Sequence, residues 1–200
     1  MLYAISDYLL DIAHNAVQAG AGLVELTIRD DARQFEVKIS DTGCGMDSAQ
    51  IDRAKDPFAN DRSKHPERSV GLGIPFLIQV LEQTGGRWQI DSRKGIGTTV
   101  DFAFMRDHID TPPEGNLIDA IAQALSFDGD FEMVVHRVRG RRELQSAHEP
   151  DECEYTVRRS ELVCALGELR SAGSRALLRR YIASQEESLV DCEEDEKWQR

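Results

Sequence analysis

Alternating apolar and polar residues predict four β-strands in the first half of the chain. Segments 23–29 and 34–40 alternate strictly, which is the pattern of a sheet with one buried face. The polar run 30–33 between them predicts a hairpin turn. Segments 87–92 and 98–104 alternate in the same way and predict a second hairpin. The two hairpins together predict an antiparallel sheet.

Apolar residues at steps of three and four predict the helices of this half. One apolar stripe runs along 6–19, where it is formed by Ile5, Leu9, Ile12, Ala16 and Ala19. A strongly apolar helix is predicted over 74–83, and a further helix between the first hairpin and the polar run that begins at residue 59. This order predicts an α+β fold, a two-layer α/β sandwich with an antiparallel sheet on one side and helices on the other.

A domain boundary is predicted near residue 107, because Pro112, Pro113 and Gly115 interrupt any helix or strand. Beyond it we expect a small α+β extension and then an acidic tail. The predicted division is 1–107, 108–190 and 191–200.

The extension shows weaker patterns than the first half. Its predicted elements are a helix over 116–125, a hairpin of 131–138 and 141–145 about Gly140, a strand over 155–157, and helices over 160–169 and 174–183. The basic strip of this hairpin predicts a charged surface, or alternatively a contact for an acidic partner; it is formed by Arg137, Arg139, Arg141 and Arg142. Glu186 and Glu187 are predicted to be solvated, together with the acidic run 191–196.

The composition restricts the classes of partner. The net charge of −12 argues against a general nucleic-acid binder. No stretch approaches the roughly 20 apolar residues of a membrane span, and the first residues lack the pattern of a signal peptide. The four cysteines have no Cys-x-x-Cys spacing, so reduced thiols are expected rather than disulfides or zinc. We therefore expect a cytoplasmic protein that binds neither nucleic acid nor membrane.

Asp11 and Asn15 lie four residues apart on the first predicted helix, so they are stacked neighbours on a second face. The asparagine oxygen can ligate Mg²⁺, and the carboxylate can accept a proton from a water or a substrate hydroxyl. The pair therefore suits a magnesium phosphate, although a solvated face of an amphipathic helix also explains it. His14 beside them is expected to be structural.

The loop 41–46 follows the second strand directly and combines a carboxylate with two glycines. Asp41 at the strand end can accept a hydrogen bond from an exocyclic amine such as that of adenine. Gly43 and Gly45 let the backbone that leads to Met46 pass close to a base. A loop with an Asx turn is the alternative explanation.

The charged run 59–69 predicts a mobile lid over a triphosphate, because a long polar loop inside a compact domain is usually functional or disordered. Arg62, Lys64 and Arg68 are its candidate phosphate contacts. The lid ends in glycines before an apolar helix, and backbone N–H groups at a helix start favour anions. The glycine patch consists of Gly71, Leu72, Gly73 and Ile74.

Residues 1 to about 105 resemble the Bergerat-fold ATPase superfamily, which includes gyrase-type topoisomerases, Hsp-type chaperones, mismatch-repair ATPases and histidine kinases. The order of the patches carries the resemblance. It implies that Asp11 is the acidic residue, that Asn15 is the magnesium ligand and that Asp41 holds the adenine amine. Phe58 falls at the aromatic position before the lid, and Thr98 falls in the last glycine box, where a hydroxyl helps to recognise adenine.

The amino-acid sequences of the patches are similar to those of two branches of the superfamily. Asp56-Pro57-Phe58 and the patch 71–74 are closest to histidine kinase catalytic domains, whereas 18–21 and 41–46 lean toward mismatch-repair and topoisomerase ATPases. The chain most resembles small stand-alone bacterial ATP-binding proteins with a C-terminal extension. Asp11 departs from the glutamate that is usual in ATP-hydrolysing members, and its shorter side chain would place an attacking water differently.

The resemblance implies Mg²⁺ and ATP as ligands and leaves three activities open. The first is a kinase-like regulator that acts on an unidentified partner protein, which the extension could contact. The chain starts at the helix of the ATP site, so we expect any phosphoryl transfer to go to another protein. The second is an ATP-gated switch without turnover. The third is a slow ATPase that forms a homodimer through its lid.

Overall fold

The computed structural model describes residues 4–56, 73–140 and 153–195. Helices and strands alternate through the described chain. In chain order they are α1 (Ile5–Gln18), β1 (Leu23–Asp30), β2 (Gln34–Asp41), α2 (Ser48–Lys55), α3 (Gly73–Gln83), β3 (Arg87–Arg93), β4 (Gly97–Met105), α4 (Leu117–Leu125), β5 (Glu132–Arg139), β6 (Cys153–Arg158), α5 (Arg159–Leu166) and α6 (Ala172–Asp195).

The strands form one six-stranded sheet in the order β3-β4-β2-β1-β5-β6. Neighbours pair antiparallel, except β1 and β5, which are parallel. Because side chains alternate between faces, each strand contributes apolar residues to one face. One row across this face contains Ile90, Val100, Ile39, Leu26, Val135 and Val157.

Four helices cover the apolar face and build the core with it. Each contributes fully buried side chains, among them Leu9, Ile12, Leu77, Leu81, Ile121, Leu125, Leu178 and Ile182. Burial of such apolar surface is the main force that holds the two layers together. The predicted α+β class and two-layer α/β sandwich are therefore confirmed.

The sheet continues beyond the region predicted as the first domain. Strand β5 lies along β1, and β6 lies along β5, so the small α+β extension shares its sheet and core with the first half. The division into 1–107, 108–190 and 191–200 remains a prediction about how the chain is organised.

The predicted hairpin of 131–138 with 141–145 is wrong. Both edges of β5 are paired, one with β1 and the other with β6. Gly140 does not turn the chain back but continues along β1, where its N–H donates to the carbonyl of Asp30 at 2.8 Å. Segment 141–152 itself lies outside the described residues.

Arg137 is not part of an exposed basic strip, because its side chain is only 1% exposed. Its Nη1 lies 2.8 Å from Asp30 Oδ1, and its Nε lies 3.1 Å from Glu186 Oε1. Asp30 also pairs with Arg106, whose Nη2 lies 3.0 Å from Oδ2. The prediction of a charged surface therefore fails at this arginine, whose guanidinium is satisfied inside the protein.

Glu186 is not part of a solvated tail either. Its carboxylate accepts a hydrogen bond from Arg137 at 3.1 Å and one from the hydroxyl of Tyr155 at 2.7 Å. Helix α6 does not end near 183 but runs to Asp195, with Leu189 buried one turn beyond Glu186. Glu186 thus lies in the second half of a helix whose Leu189 packs into the core.

Candidate functional site

Asp11 and Asn15 lie half-buried on α1, beside the apolar stripe that packs into the core. Asn15 Nδ2 donates to Asp11 Oδ2 over 3.3 Å. Burial raises the pKa of the Asp11 carboxyl, and the hydrogen bond from Asn15 and the charge of His14 only partly oppose it. A carboxylate with a raised pKa is a stronger base, so the site offers a proton acceptor next to an amide oxygen that can ligate a metal.

The start of α3 lies directly against Asp11. A Cβ atom on Gly73, the first residue of α3, would come within 1.8 Å of Asp11 Oδ2, so a larger residue there would have to displace the Asp11 carboxylate. The first N–H groups of a helix have no partner within the helix and favour anions. The close contact of Gly73 with Asp11 thus places a proton acceptor beside a helix N-terminus of the kind that binds phosphate. Ile74, the next residue, packs against the hydrophobic core.

Asp41 ends β2 as predicted, with its carboxylate half-buried. Its Oδ1 accepts the N–H of Gly43 at 2.7 Å, so the Asx-type hydrogen bond weighed in the sequence is present. Burial raises the pKa of Asp41, while backbone N–H groups of Gly43 and Thr98 oppose that rise. The carboxylate is held in a fixed orientation, which a base-recognising acceptor requires.

Close backbone packing ties loop 41–46 to α1 and to the turn before β4. A Cβ on Gly43 would meet the Ala19 carbonyl oxygen at 2.9 Å, and Gly45, at φ +58°, would meet the Arg93 carbonyl oxygen at 2.1 Å. Gly97, at φ +144°, would meet the Asp41 carbonyl oxygen at 1.8 Å. These glycines therefore serve first to pack three backbone segments together.

Ser92 is a residue of this site that the sequence analysis missed. Its Oγ accepts the N–H of Met46 at 2.8 Å, donates to the Gly97 carbonyl at 3.0 Å and lies 2.9 Å from Thr98 Oγ1. The Thr98 hydroxyl therefore has a fixed neighbour beside Asp41, its partner in the sheet register. Ser92 lies at the end of β3 on the same half-buried face as Trp88 and Ile90, and a single serine there does not reveal in the sequence which loop it contacts.

The described structure brings together four of the predicted patches: the α1 pair, loop 41–46, the start of α3 and the start of β4. The remaining candidates fall outside the described residues; they are Phe58, Arg62, Lys64, Arg68, Gly71 and Leu72.

Within 4–56, 73–140 and 153–195, no group of three or more His, Cys, Asp or Glu residues is placed to hold a metal ion by itself. Among the described helices, none has both the length and the apolar character needed to cross a lipid bilayer.

Comparison with protein families gives the class of protein. The family described as histidine kinase-, DNA gyrase B-, and HSP90-like ATPase matches residues 4–108, which is more than half of the 200 residues. The chain therefore belongs to this family, and the suspected superfamily is confirmed.

Sensor histidine kinases are among the similar proteins, and they are much longer than the shared region. The chain is 27% identical over 97 residues to the sensor histidine kinase ZraS of Escherichia coli, covering 48% of this chain and 20% of that protein. It is 28% identical over 98 residues to the sensor histidine kinase YxdK of Bacillus subtilis, covering 47% and 30%.

A solved structure extends the comparison to the rest of the fold. The N-terminal domain of a DNA repair protein aligns with a TM-score of 0.51 over 86% of this chain and 58% of that one. At 11% identity this likeness shows a shared fold alone. It includes most of the chain, so the region beyond residue 108 also takes part in the similarity.

Proposed function

We propose that this protein binds Mg-ATP between α1, loop 41–46 and the starts of α3 and β4, and acts as a kinase-like regulator of a partner protein. The observation that carries the proposal is the meeting of these four patches around two half-buried carboxylates, Asp11 and Asp41. Membership of the ATPase family supports a nucleotide as the ligand.

Each residue has a role that its surroundings support. Asp41 accepts a hydrogen bond from the adenine amine, beside the hydroxyl of Thr98. Asn15 supplies an oxygen to Mg²⁺, which neutralises phosphate charge when bound. The α3 N-terminus at Gly73 faces phosphate oxygens, and Asp11 accepts a proton. Contacts from Phe58, Gly71 and Leu72 remain predictions from the glycine patches and the family resemblance. Phosphate contacts from Arg62, Lys64 and Arg68 remain predictions from the charged run.

The choice of a kinase-like activity rests on two observations. The named relatives are sensor histidine kinases, although the chain spans less than a third of each. The raised pKa of Asp11, next to the start of α3, suits a group that takes up a proton during phosphoryl transfer.

Labelled ATP tests the proposal and separates the three activities. The protein is incubated with Mg²⁺ and γ-labelled ATP, alone and with candidate partner proteins, beside the Asp11→Asn variant. Transfer of label to a partner, lost in the variant, is the expected result. Binding without transfer or phosphate release would indicate an ATP-gated switch. Slow phosphate release with nucleotide-dependent dimerisation in light scattering would indicate the dimeric ATPase. Failure to bind ATP would contradict the proposal as a whole.

A further inference from the structure

We propose that a segment beyond the family-matched region positions α1, and through it Asn15, for Mg-ATP. The segment includes α4, which packs along α1, and it also contacts α1 at residues 113–115 and at Phe127. We call these two further contacts the α1 clamp. This inference rests on the proposed function, since it concerns the same site. It assigns positioning roles to Gly115 and Phe127, neither of which touches the nucleotide.

The first contact is at the start of α1. The N–H of Ile5 donates to the Pro113 carbonyl at 2.9 Å, and the N–H of Ser6 donates to the Glu114 carbonyl at 3.0 Å. The first N–H groups of a helix need partners from outside it, and α1 has no side-chain cap at Ala4. Residues 113 and 114 therefore fix where α1 begins.

Gly115 makes this contact tight. Its φ is +78°, and a Cβ there would lie 2.1 Å from Ser6 Oγ and 2.6 Å from Ala4 Cβ. Any other residue at position 115 would have to push the start of α1 away. The backbone conformation and the lack of space both require glycine.

The clamp is anchored to the sheet. Arg106 bridges Glu114 and Asp30. Its Nη1 lies 2.5 Å from Glu114 Oε1, and its Nη2 lies 3.0 Å from Asp30 Oδ2. Asp30 is only 1% exposed and belongs to β1. Residues 113–115 are therefore fixed relative to the sheet, whose strand β2 carries Asp41. Through them, the position of α1 is fixed relative to the proposed adenine contact.

The second contact is near the other end of α1. The ring of His14 lies 5.1 Å from the ring of Phe127, at 50° between the ring planes. Phe127 follows α4, whose Ile121 and Leu125 are fully buried in the core. His14 precedes Asn15 directly, so the α4 side of the molecule supports the helix at the residue next to the proposed metal ligand.

A shift of α1 would affect one part of the binding energy selectively. Asn15 acts through Mg²⁺, whereas Asp41 and Thr98 act on the base from other elements. Loosening the clamp is therefore expected to weaken the gain in affinity that Mg²⁺ confers more than it weakens ATP binding without magnesium.

Calorimetry of ATP binding with Mg²⁺ and with EDTA measures this gain as the dissociation constant in EDTA divided by that in Mg²⁺. Gly115→Ala and the milder Phe127→Ala are expected to lower the ratio about fivefold, which corresponds to about 1 kcal/mol. Gly167→Ala is the control for the first, because Gly167 also has positive φ (+71°) but nothing within 4 Å. Leu166→Ala is the control for the second, since Leu166 packs on the core from α5. Both controls should keep the wild-type ratio.

The outcomes separate this inference from the proposed function. An unchanged ratio in folded Gly115→Ala and Phe127→Ala would overturn the inference, and so would an equal loss of both affinities, because that would show a general structural role. If Gly115→Ala does not fold, Phe127→Ala decides. If the wild-type protein binds ATP equally with and without magnesium, the proposed role of Asn15 fails, and the clamp has nothing to position.

Discussion

Replacing Arg137 by methionine should destabilise the protein by about 3 kcal/mol. Burial lowers the pKa of Arg137, but Asp30 and Glu186 raise it and prevail, so the guanidinium stays charged. Its loss leaves two carboxylates with one cation fewer, and removing one partner of a buried pair typically costs about 3–5 kcal/mol. Asp30 keeps Arg106, and Glu186 keeps the Tyr155 hydroxyl, which places the loss at the lower end of that range.

Urea unfolding of both wild type and variant measures this loss as a change in the free energy of unfolding. Arg170→Met is the matched control. The pair of Arg170 with Asp128, at 2.8 Å, has side chains that are 57% and 80% exposed, so its removal should cost less than about 1 kcal/mol. If Arg137→Met costs no more than this control, the buried pairs of Arg137 with Asp30 and Glu186 do not stabilise the fold.

Three further predictions concern single side chains. Asn15→Ala should give equal ATP affinity with Mg²⁺ and with EDTA in calorimetry; a retained magnesium dependence would remove Asn15 as the ligand. Asp11→Asn should bind ATP like the wild type but lose turnover in the labelled-ATP assay, and an unchanged rate would make Asp11 structural. Tyr155→Phe should lower the free energy of urea unfolding by about 1.5 kcal/mol, because it deletes the 2.7 Å hydrogen bond to Glu186; no loss would mean that Glu186 is satisfied without it.

Local patterns predicted the first half of the fold well. The helix predicted over 6–19 is observed as Ile5–Gln18, and the strand predicted over 34–40 is observed as Gln34–Asp41. Both elements have one buried face, so their periodicity of 3.6 or 2 residues is visible in the sequence. The glycines of the site could also be identified from the sequence, because a glycine is required where backbone segments pack closely.

The second half was predicted less well because its contacts are distant in sequence. Strand β5 pairs in parallel with β1, about a hundred residues earlier, and local alternation carries no information on such a partner. Met133, Val134 and Val135 are all buried, so the strand does not alternate cleanly. Gly140 suggested a turn at this point, whereas both edges of β5 pair with β1 and β6.

Buried charge was the other source of error. Arg137 and Glu186 look like surface residues in a sequence, because charged side chains are almost never fully buried unless they are paired. Their partners, Asp30 and Tyr155, lie in other elements, so only the fold brings the four together. The same limit applies to Ser92, whose contacts with Met46 and Thr98 depend on the packing of a loop against two strands.

The most direct test of the account is calorimetric titration of Mg-ATP into wild-type protein, Asp41→Asn and the control Asp101→Asn, whose carboxylate pairs with Arg87 on the neighbouring strand. Burial raises the pKa of Asp41, so its charge costs stability in the folded state, and the neutral asparagine should keep the fold. The account predicts that wild type and Asp101→Asn bind alike, while Asp41→Asn loses roughly 1.5–3 kcal/mol of binding energy, about ten- to a hundredfold in affinity. Equal affinity of all three proteins, or no binding by the wild type, would contradict it.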